Sequence, residues 1–157
     1  MKVEFWVIGK TNESYLRQGI ELYVKRLSHY LPFKMIVIPD VKTSKGTKPV
    51  QLKAKEGEAI LQKLKSEDLL ILLDEKGKSF NSVDFAQYMD QLLMRPGRRL
   101  IFLVGGAFGF SEALYERAQG KLSLSKMTFS HQMIRLFFVE QLYRAMTILR
   151  NEPYHNS

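Results

Sequence analysis

The chain has 157 residues, 45% of them hydrophobic and 25% charged, a composition typical of globular rather than disordered proteins. It is long enough to fold without cross-links, and it contains no cysteine, which excludes disulfides, thiolate catalysis and cysteine-bound zinc. Its 24 lysines and arginines against 16 acidic residues give a net charge of +8, which favours an anionic partner such as nucleic acid.

The hydrophobic pattern predicts alternating strands and helices along the N-terminal half. Residues 3–8 are a β-prone run, and residues 33–38 are a second one. Between them, residues 15–27 carry apolar side chains at spacings of three and four, which indicates a helix with Thr11 or Asn12 as its cap. No apolar run reaches the roughly 20 residues of a membrane-spanning helix, and none resembles a signal peptide. The absence of cysteine suits a reducing cytoplasm, so we expect a cytoplasmic protein without membrane contacts.

A lysine-rich stretch follows the second strand. It runs from Lys42 to Lys55 and holds five lysines and no acidic residue. This composition is typical of a solvated, mobile loop, and it is equally expected for a loop that faces RNA. The stretch leads into a helix marked by Ala59, Ile60 and Leu64.

The middle of the chain contains two short apolar runs of the kind expected for buried parallel strands. These are residues 69–73 and 100–104, separated by a predicted turn at 74–78 and a helix at 82–93. The second run leads directly into a glycine-rich segment at 105–109. Ligands of parallel sheets bind beyond the carboxyl ends of the strands, so these two strand ends are candidate binding positions.

The C-terminal part completes the alternation. Ser111 is the expected cap of a short helix, residues 121–125 are a last short strand, and residues 132–149 form the longest helix. We predict an α/β fold with a mostly parallel sheet flanked by helices, in a single domain covering residues 1–157.

Familiar nucleotide and metal signatures do not match. The glycines at 105, 106 and 109 do not have dinucleotide-binding spacing, and Leu72 occupies the first glycine position of a possible P-loop. His29, His131 and His155 are widely separated and have no metal-ligand spacing, so we expect no metal site.

Basic and aromatic residues near the C-terminus are candidates for contacts with RNA. Residues 91–150 hold nine basic and three acidic residues. Glu140 and Arg144 are spaced for a helical salt bridge, although Arg135 and Arg144 are equally suited to face phosphate. Residues 151–157 are expected to fray, yet Tyr154 beside His155 is also suited to stack on a base. Broad apolarity of the last helix predicts burial in the core and against a second subunit.

Three segments of the C-terminal third carry a specific resemblance to a known family. They read GGAFG at 105–109, LSLSKMTF at 122–129 and HQMIR at 131–135, and EQLYRA at 140–145 and the Tyr154-His155 ending extend the match. The chain resembles the ribosomal RNA large subunit methyltransferase H family over essentially its whole length.

The resemblance implies a SPOUT-class fold with a C-terminal trefoil knot. It implies a homodimer that uses S-adenosyl-L-methionine to methylate N3 of a pseudouridine in helix 69 of 23S ribosomal RNA, within the assembled 70S ribosome. General topology rules would have argued against a knot.

The resemblance also implies the roles of individual residues. The cofactor site comprises Leu73, Gly105, Leu124, Ser125, Lys126, Met127, Thr128 and Phe129. Arg135 and Arg144 are the implied substrate-binding residues, and His131, Tyr154 and His155 the implied catalytic ones. Either histidine is able to accept the N3 proton, since imidazole titrates near neutrality. The chain departs from the family pattern at Ser130, where proline is common, and at Asn156, where a basic residue is common.

Two other functions are compatible with the composition alone. A non-catalytic RNA-binding module needs no cofactor, and a small-molecule enzyme with a nucleotide-like ligand shows no dependence on RNA. The glycine segment together with residues 124–129 favours the methyltransferase over the first, and the basic C-terminal part argues against the second.

Overall fold

The computed structural model describes residues 1–156; Ser157, the last residue of the predicted domain, lies outside them. Strands and helices alternate throughout these residues. In chain order they are β1 (Lys2–Ile8), α1 (Ser14–Leu27), β2 (Phe33–Ile38), α2 (Pro49–Lys63), β3 (Leu69–Ser79), α3 (Ser82–Met94), β4 (Arg99–Val104), α4 (Glu112–Arg117), β5 (Gly120–Ser123) and α5 (Met133–Leu149).

All five strands pair in parallel, in the order β2-β1-β4-β3-β5. Side chains of successive strand residues point to opposite faces, so the sheet supports two hydrophobic clusters. In β1, Val3, Phe5 and Val7 join the cluster under α1, α3 and α5, whereas Trp6 and Ile8 join the cluster under α2 and α4. The predicted α/β class with a parallel sheet and flanking helices is confirmed.

Three local predictions are corrected by tertiary contacts. The cap of α1 is Glu13, which makes no side-chain capping bond, because Thr11 instead accepts a hydrogen bond from Arg135. The predicted turn at 74–78 belongs to β3, which pairs with β5 on both sides of an irregularity between Leu73 and Lys78. The lysine-rich stretch is a loop only as far as Lys48, after which α2 begins.

Other local signals are confirmed. The Ser111 hydroxyl accepts a hydrogen bond from the Leu114 amide at the start of α4. The last strand ends two residues earlier than predicted, at Ser123. Within residues 1–156, no helix combines the length and apolarity needed to cross a membrane.

The segment between β5 and α5 places the candidate site residues. It begins at Ser123 on the outer strand β5 and ends at Gln132, which hydrogen-bonds to Lys10 and Asn12 beyond the end of β1. Since β1 and β5 are three strand positions apart, the segment crosses roughly 14 Å along the carboxyl edge of the sheet, past β3 and β4. The path of this segment is compatible with the trefoil knot, which stays a prediction.

Candidate active site

A cavity of about 390 Å³ lies at the carboxyl edge of the sheet. Its walls come from the end of β4 and the glycine segment after it, from the irregular part of β3, and from the segment between β5 and α5. This volume is within the range of small-molecule and cofactor sites.

Most of the predicted cofactor residues border this cavity. They are Leu73, Gly105, Leu124, Ser125, Met127, Thr128 and Phe129, and His131 borders it too. Lys126 is the exception, since its side chain is exposed and does not contribute to the wall.

Glycines keep the backbone of one wall open to a ligand. A Cβ atom at Gly105 would lie 3.1 Å from the Phe110 ring and 3.2 Å from the Gly109 carbonyl oxygen. Gly109 itself has φ of +85°, the left-handed region that favours glycine. The cradle therefore presents backbone polar groups where a larger side chain would fill the space.

Asp74 and Tyr115 form a polar part of the cavity wall, and the sequence did not predict that these two residues are in contact. The Tyr115 hydroxyl donates a hydrogen bond to Asp74, and burial together with this bond raises the pKa of Tyr115 to about 12. The other Asp74 oxygen accepts from the Lys76 amide at 3.0 Å. No local motif identifies this contact, because the two residues are brought together across 41 positions of sequence.

Side-chain hydroxyls brace the segment between β5 and α5. Ser123 donates to the Ser125 carbonyl at 2.8 Å, and the Ser125 hydroxyl accepts from the Met127 amide at 3.0 Å. Ser130 accepts from the Met133 amide at 3.1 Å, at the start of α5. The serine at the position where the family commonly has proline is thus part of the cap of the last helix.

His131 lies at the junction of two cavities. It borders the cavity just described and a second one between the ends of β1 and β2, lined also by Lys10, Val37 and Asp40. Its side chain is exposed, and within residues 1–156 its ring nitrogens make no hydrogen bond. The imidazole is therefore available to a substrate.

Arg135 does not occupy the position expected of a phosphate-binding residue. Its side chain is 1% exposed, and its guanidinium donates to the carbonyl oxygens of Ile8 and Gly9 at 2.8 and 2.9 Å and to the Thr11 hydroxyl at 3.0 Å. Burial lowers its pKa. Arg135 therefore joins α5 to the end of β1, and its guanidinium is committed to these bonds instead of facing RNA phosphate.

Tyr154 and His155 pack against the middle of α5 instead of fraying. The Tyr154 hydroxyl donates to Glu140 at 2.9 Å, and burial is the main cause that raises its pKa. The Arg144 guanidinium lies 4.8 Å from the centre of the Tyr154 ring, pairs with Glu140 at 2.6 Å and contacts His155 Nδ1 at 3.1 Å. The predicted Glu140–Arg144 salt bridge is confirmed, and we call these four residues the tail cluster.

The tail cluster and the cavity are separate within one chain. Ile134 borders the cavity, whereas Glu140 and Arg144 lie six and ten residues further along α5, about 9 and 15 Å along the helix axis. Neither Tyr154 nor His155 lines the cavity.

Comparison with known proteins decides the family. A family model described as "Predicted SPOUT methyltransferase" matches residues 1–155. A Parabacteroides distasonis protein named ribosomal RNA large subunit methyltransferase H is 56% identical over 156 residues, covering 99% of each chain. The Cytophaga hutchinsonii protein of the same name is 53% identical and is covered over its full length.

The chain belongs to the SPOUT methyltransferases, in the ribosomal RNA large subunit methyltransferase H family. A crystal structure of tRNA (m1G37) methyltransferase from Aquifex aeolicus shares the SPOUT fold, with a TM-score of 0.57 and 13% identity over all of this chain and 76% of that one. Among the described residues of this SPOUT chain, no group of three histidine or acidic side chains is placed to hold a metal ion.

Proposed function

We propose that this chain is an S-adenosyl-L-methionine-dependent methyltransferase that modifies N3 of a pseudouridine in helix 69 of 23S ribosomal RNA. We propose the assembled 70S ribosome in the cytoplasm as its substrate and the homodimer as its active form. The observation that carries the proposal is a cofactor-sized cavity whose walls are the residues that match the family motif, in a SPOUT chain.

The cavity residues suit the proposed cofactor. The backbone at Gly105 and along residues 124–129 is able to bind its polar groups, and Leu73 and Leu124 offer apolar surfaces to the adenine. The Met127 side chain is 75% exposed at the cavity and is placed to cover a bound ligand. When bound, S-adenosylmethionine supplies an electrophilic methyl group attached to a positively charged sulfur.

The N3 proton of the target base must leave before this nitrogen attacks, and His131 is our candidate to accept it. Its ring is exposed beside the cavity and uncommitted among residues 1–156. His155 is less suited, because arginine has only donors and the contact with Arg144 therefore occupies His155 Nδ1 as an acceptor. In a neutral His155 the other ring nitrogen, Nε2, then carries the hydrogen and has no lone pair with which to accept the N3 proton.

A second subunit would bring the tail cluster of one chain to the cavity of the other. Apolar surface extends from Phe129 to Phe137, whose rings lie 4.9 Å apart, and Phe137 is 39% exposed on α5. This face continues into a neighbouring apolar cavity lined by Phe80 and Phe85. We propose that two copies pair here and that the Tyr154, His155 and Arg144 of one copy position RNA at the cavity of the other.

The experiment that tests the function is transfer of labelled methyl from S-adenosylmethionine to ribosomes that lack the modification. Naked 23S RNA and 50S subunits serve as comparison substrates, and the labelled nucleotide is mapped afterwards. We expect methyl on one pseudouridine, strongest with 70S ribosomes. If the chain binds the cofactor but transfers no methyl group, the proposed substrate is wrong. If it neither binds the cofactor nor transfers a methyl group, the results favour the RNA-binding module.

A further inference from the structure

The Glu56 side chain is largely buried, and its carboxyl group lies against the glycine segment of the proposed cofactor cavity. Glu56 lies on α2, is 8% exposed, and makes no side-chain hydrogen bond within residues 1–156. A Cβ atom at Gly106 would lie 2.7 and 2.9 Å from its two carboxylate oxygens. The carboxyl group thus occupies the space that a side chain at position 106 would need.

The next residue brings α2 against the other end of the same segment. A Cβ atom at Gly57 would collide with the hydroxyl of Ser111, the residue that caps α4. The Glu56-Gly57 pair therefore supports residues 105–111 at both ends, while Gly105, Gly106, Ala107 and Gly109 border the cavity on the other side.

A carboxyl group is a costly side chain for this place. Burial, and secondarily the charge of Asp40, raises the pKa of Glu56, which reflects the desolvation of the group. An apolar side chain would fill the same space without that penalty. Since the carboxyl group makes no hydrogen bond to the segment, its contact with Gly106 is one of close packing.

We propose that Glu56 is a positioning residue for cofactor binding: its carboxyl group holds the Gly105–Gly109 turn in the form that shapes the cavity wall. The inference rests on the proposed function for the identity of the cofactor. Glu56 does not touch the cavity itself, so it acts through Gly106.

The first test measures cofactor affinity without ribosomes. Calorimetric titration with S-adenosylmethionine and S-adenosylhomocysteine compares the wild type with Glu56→Ala, Glu56→Gln and Glu58→Ala. Glu58 is the matched control, since it is an exposed glutamate on the same helix. We expect Kd to rise about tenfold in Glu56→Ala, because a loosened supporting residue degrades a binding site, and to change less than about threefold in the other two.

Two further readouts separate positioning from general loss of stability. Hydrogen exchange should accelerate at residues 105–111 in Glu56→Ala and remain unchanged in the β1 and β4 core. The KM for S-adenosylmethionine should rise, while kcat at saturating cofactor and the KM for ribosomes stay near wild-type values.

A double-mutant cycle keeps the proposal testable if Glu56→Ala folds poorly. Gly106 does not have positive φ, but an added Cβ would meet the Glu56 carboxylate. Gly106→Ala should therefore weaken cofactor binding in the wild type and in Glu56→Gln, whose side chain has the same shape, and cost less in Glu56→Ala. Neighbouring residues give such non-additive effects, whereas independent sites add.

Three results would overturn the inference: an unchanged Kd in Glu56→Ala, an equal loss in Glu58→Ala, or strictly additive effects in the cycle. If the wild-type chain binds neither S-adenosylmethionine nor S-adenosylhomocysteine, the cofactor named in the proposed function is wrong. In that case exchange at 105–111 still decides the role of Glu56, and unchanged exchange in Glu56→Ala would refute it.

Discussion

At the scale of single residues, Gly105 leaves space at the proposed cofactor cavity that a side chain would fill. Gly105 is packed between the Phe110 ring and the Gly109 carbonyl group. A Cβ atom added to Gly105 would lie 3.1 Å from the ring and 3.2 Å from the carbonyl oxygen. A branched side chain has to displace one of these neighbours or project into the cavity. The effect should be local, because the β4 residues before Gly105 are buried in the core independently of it.

We therefore predict that Gly105→Val raises the Kd for S-adenosylmethionine at least about tenfold, as expected when a side chain fills a shaped pocket. The affinity for ribosomal RNA should remain within about twofold, since the basic surface is unaltered. Calorimetry and filter binding measure the two quantities. Equal loss of both, with a normal circular dichroism spectrum, would contradict the separation of cofactor and RNA sites.

Another single-residue contact makes stability depend on pH. Asp68 is 1% exposed and forms a two-pronged pair with Arg99, at 2.6 and 2.9 Å. Burial by itself raises the pKa of Asp68, but the hydrogen bonds from Arg99 and the Lys65 amide outweigh it, so the pKa falls below its usual 3.8. The folded chain thus holds the charged form more strongly than the unfolded chain does.

The sign of the pH dependence follows from this lowered pKa. The stabilisation by Asp68 is present at pH values above 3.8 and is lost as pH falls through the lower folded value. We predict that Asp68→Asn lowers the free energy of unfolding by about 3 kcal/mol at pH 7, the range for breaking a buried ion pair. Urea unfolding at a series of pH values checks this, and a difference that grows below pH 4 would contradict it.

At the scale of elements, α5 is attached to the sheet by polar as well as apolar contacts. Its apolar residues Phe138, Val139 and Leu142 pack into the cluster under α1 and α3. Arg135 adds hydrogen bonds to the end of β1, and Gln132 adds two more to the loop that follows. These bonds also fix the position of His131, one turn before Arg135.

We predict that Arg135→Met lowers the free energy of unfolding by about 2–4 kcal/mol, because it leaves the Ile8 and Gly9 carbonyl oxygens and the Thr11 hydroxyl without their donor. Denaturant unfolding measures this change. RNA affinity should be unaltered once the variant is folded. A stable variant with reduced RNA affinity and a weaker salt dependence would restore the phosphate-binding role.

At the scale of the whole molecule, we propose that the active site is assembled from two chains. The tail cluster lies along α5, away from the cavity that the start of the same helix borders. A symmetric dimer uses the same surface of both copies, so each tail is able to serve the cavity of its partner.

Mixed dimers test this arrangement. At a cofactor concentration far below its raised Kd, Gly105→Val leaves the cavity of one chain empty, and Tyr154→Ala with His155→Ala removes the tail of the other. If tails act across the interface, mixing the two inactive proteins should recover about a quarter of the wild-type activity, since half of the dimers are mixed and each has one complete site. Methyl transfer to ribosomes measures recovery, and a mixture as inactive as its parents would show that each tail serves its own chain.

The sequence was sufficient for the elements and for the position of the cavity. Apolar periodicity and turn residues are local signals, so they predicted the parallel strands, the Ser111 cap and the glycine segment at 105–109 within a few residues. The family resemblance carried by residues 122–129 pointed to cofactor residues that, apart from Lys126, line the cavity, and their binding role stays a prediction. Strands, helices and caps depend on neighbours in the chain, and such neighbours are visible in the sequence.

Only the tertiary structure decided what the polar side chains contact. Arg135 is buried because its acceptors, more than 120 residues away in the chain, lie at the end of β1. Glu56 likewise faces Gly106 only because the fold places α2 beside the end of β4. A charge pattern does not distinguish a solvated arginine from a buried one, because the carbonyl groups that compensate a buried guanidinium for lost water come from distant parts of the chain.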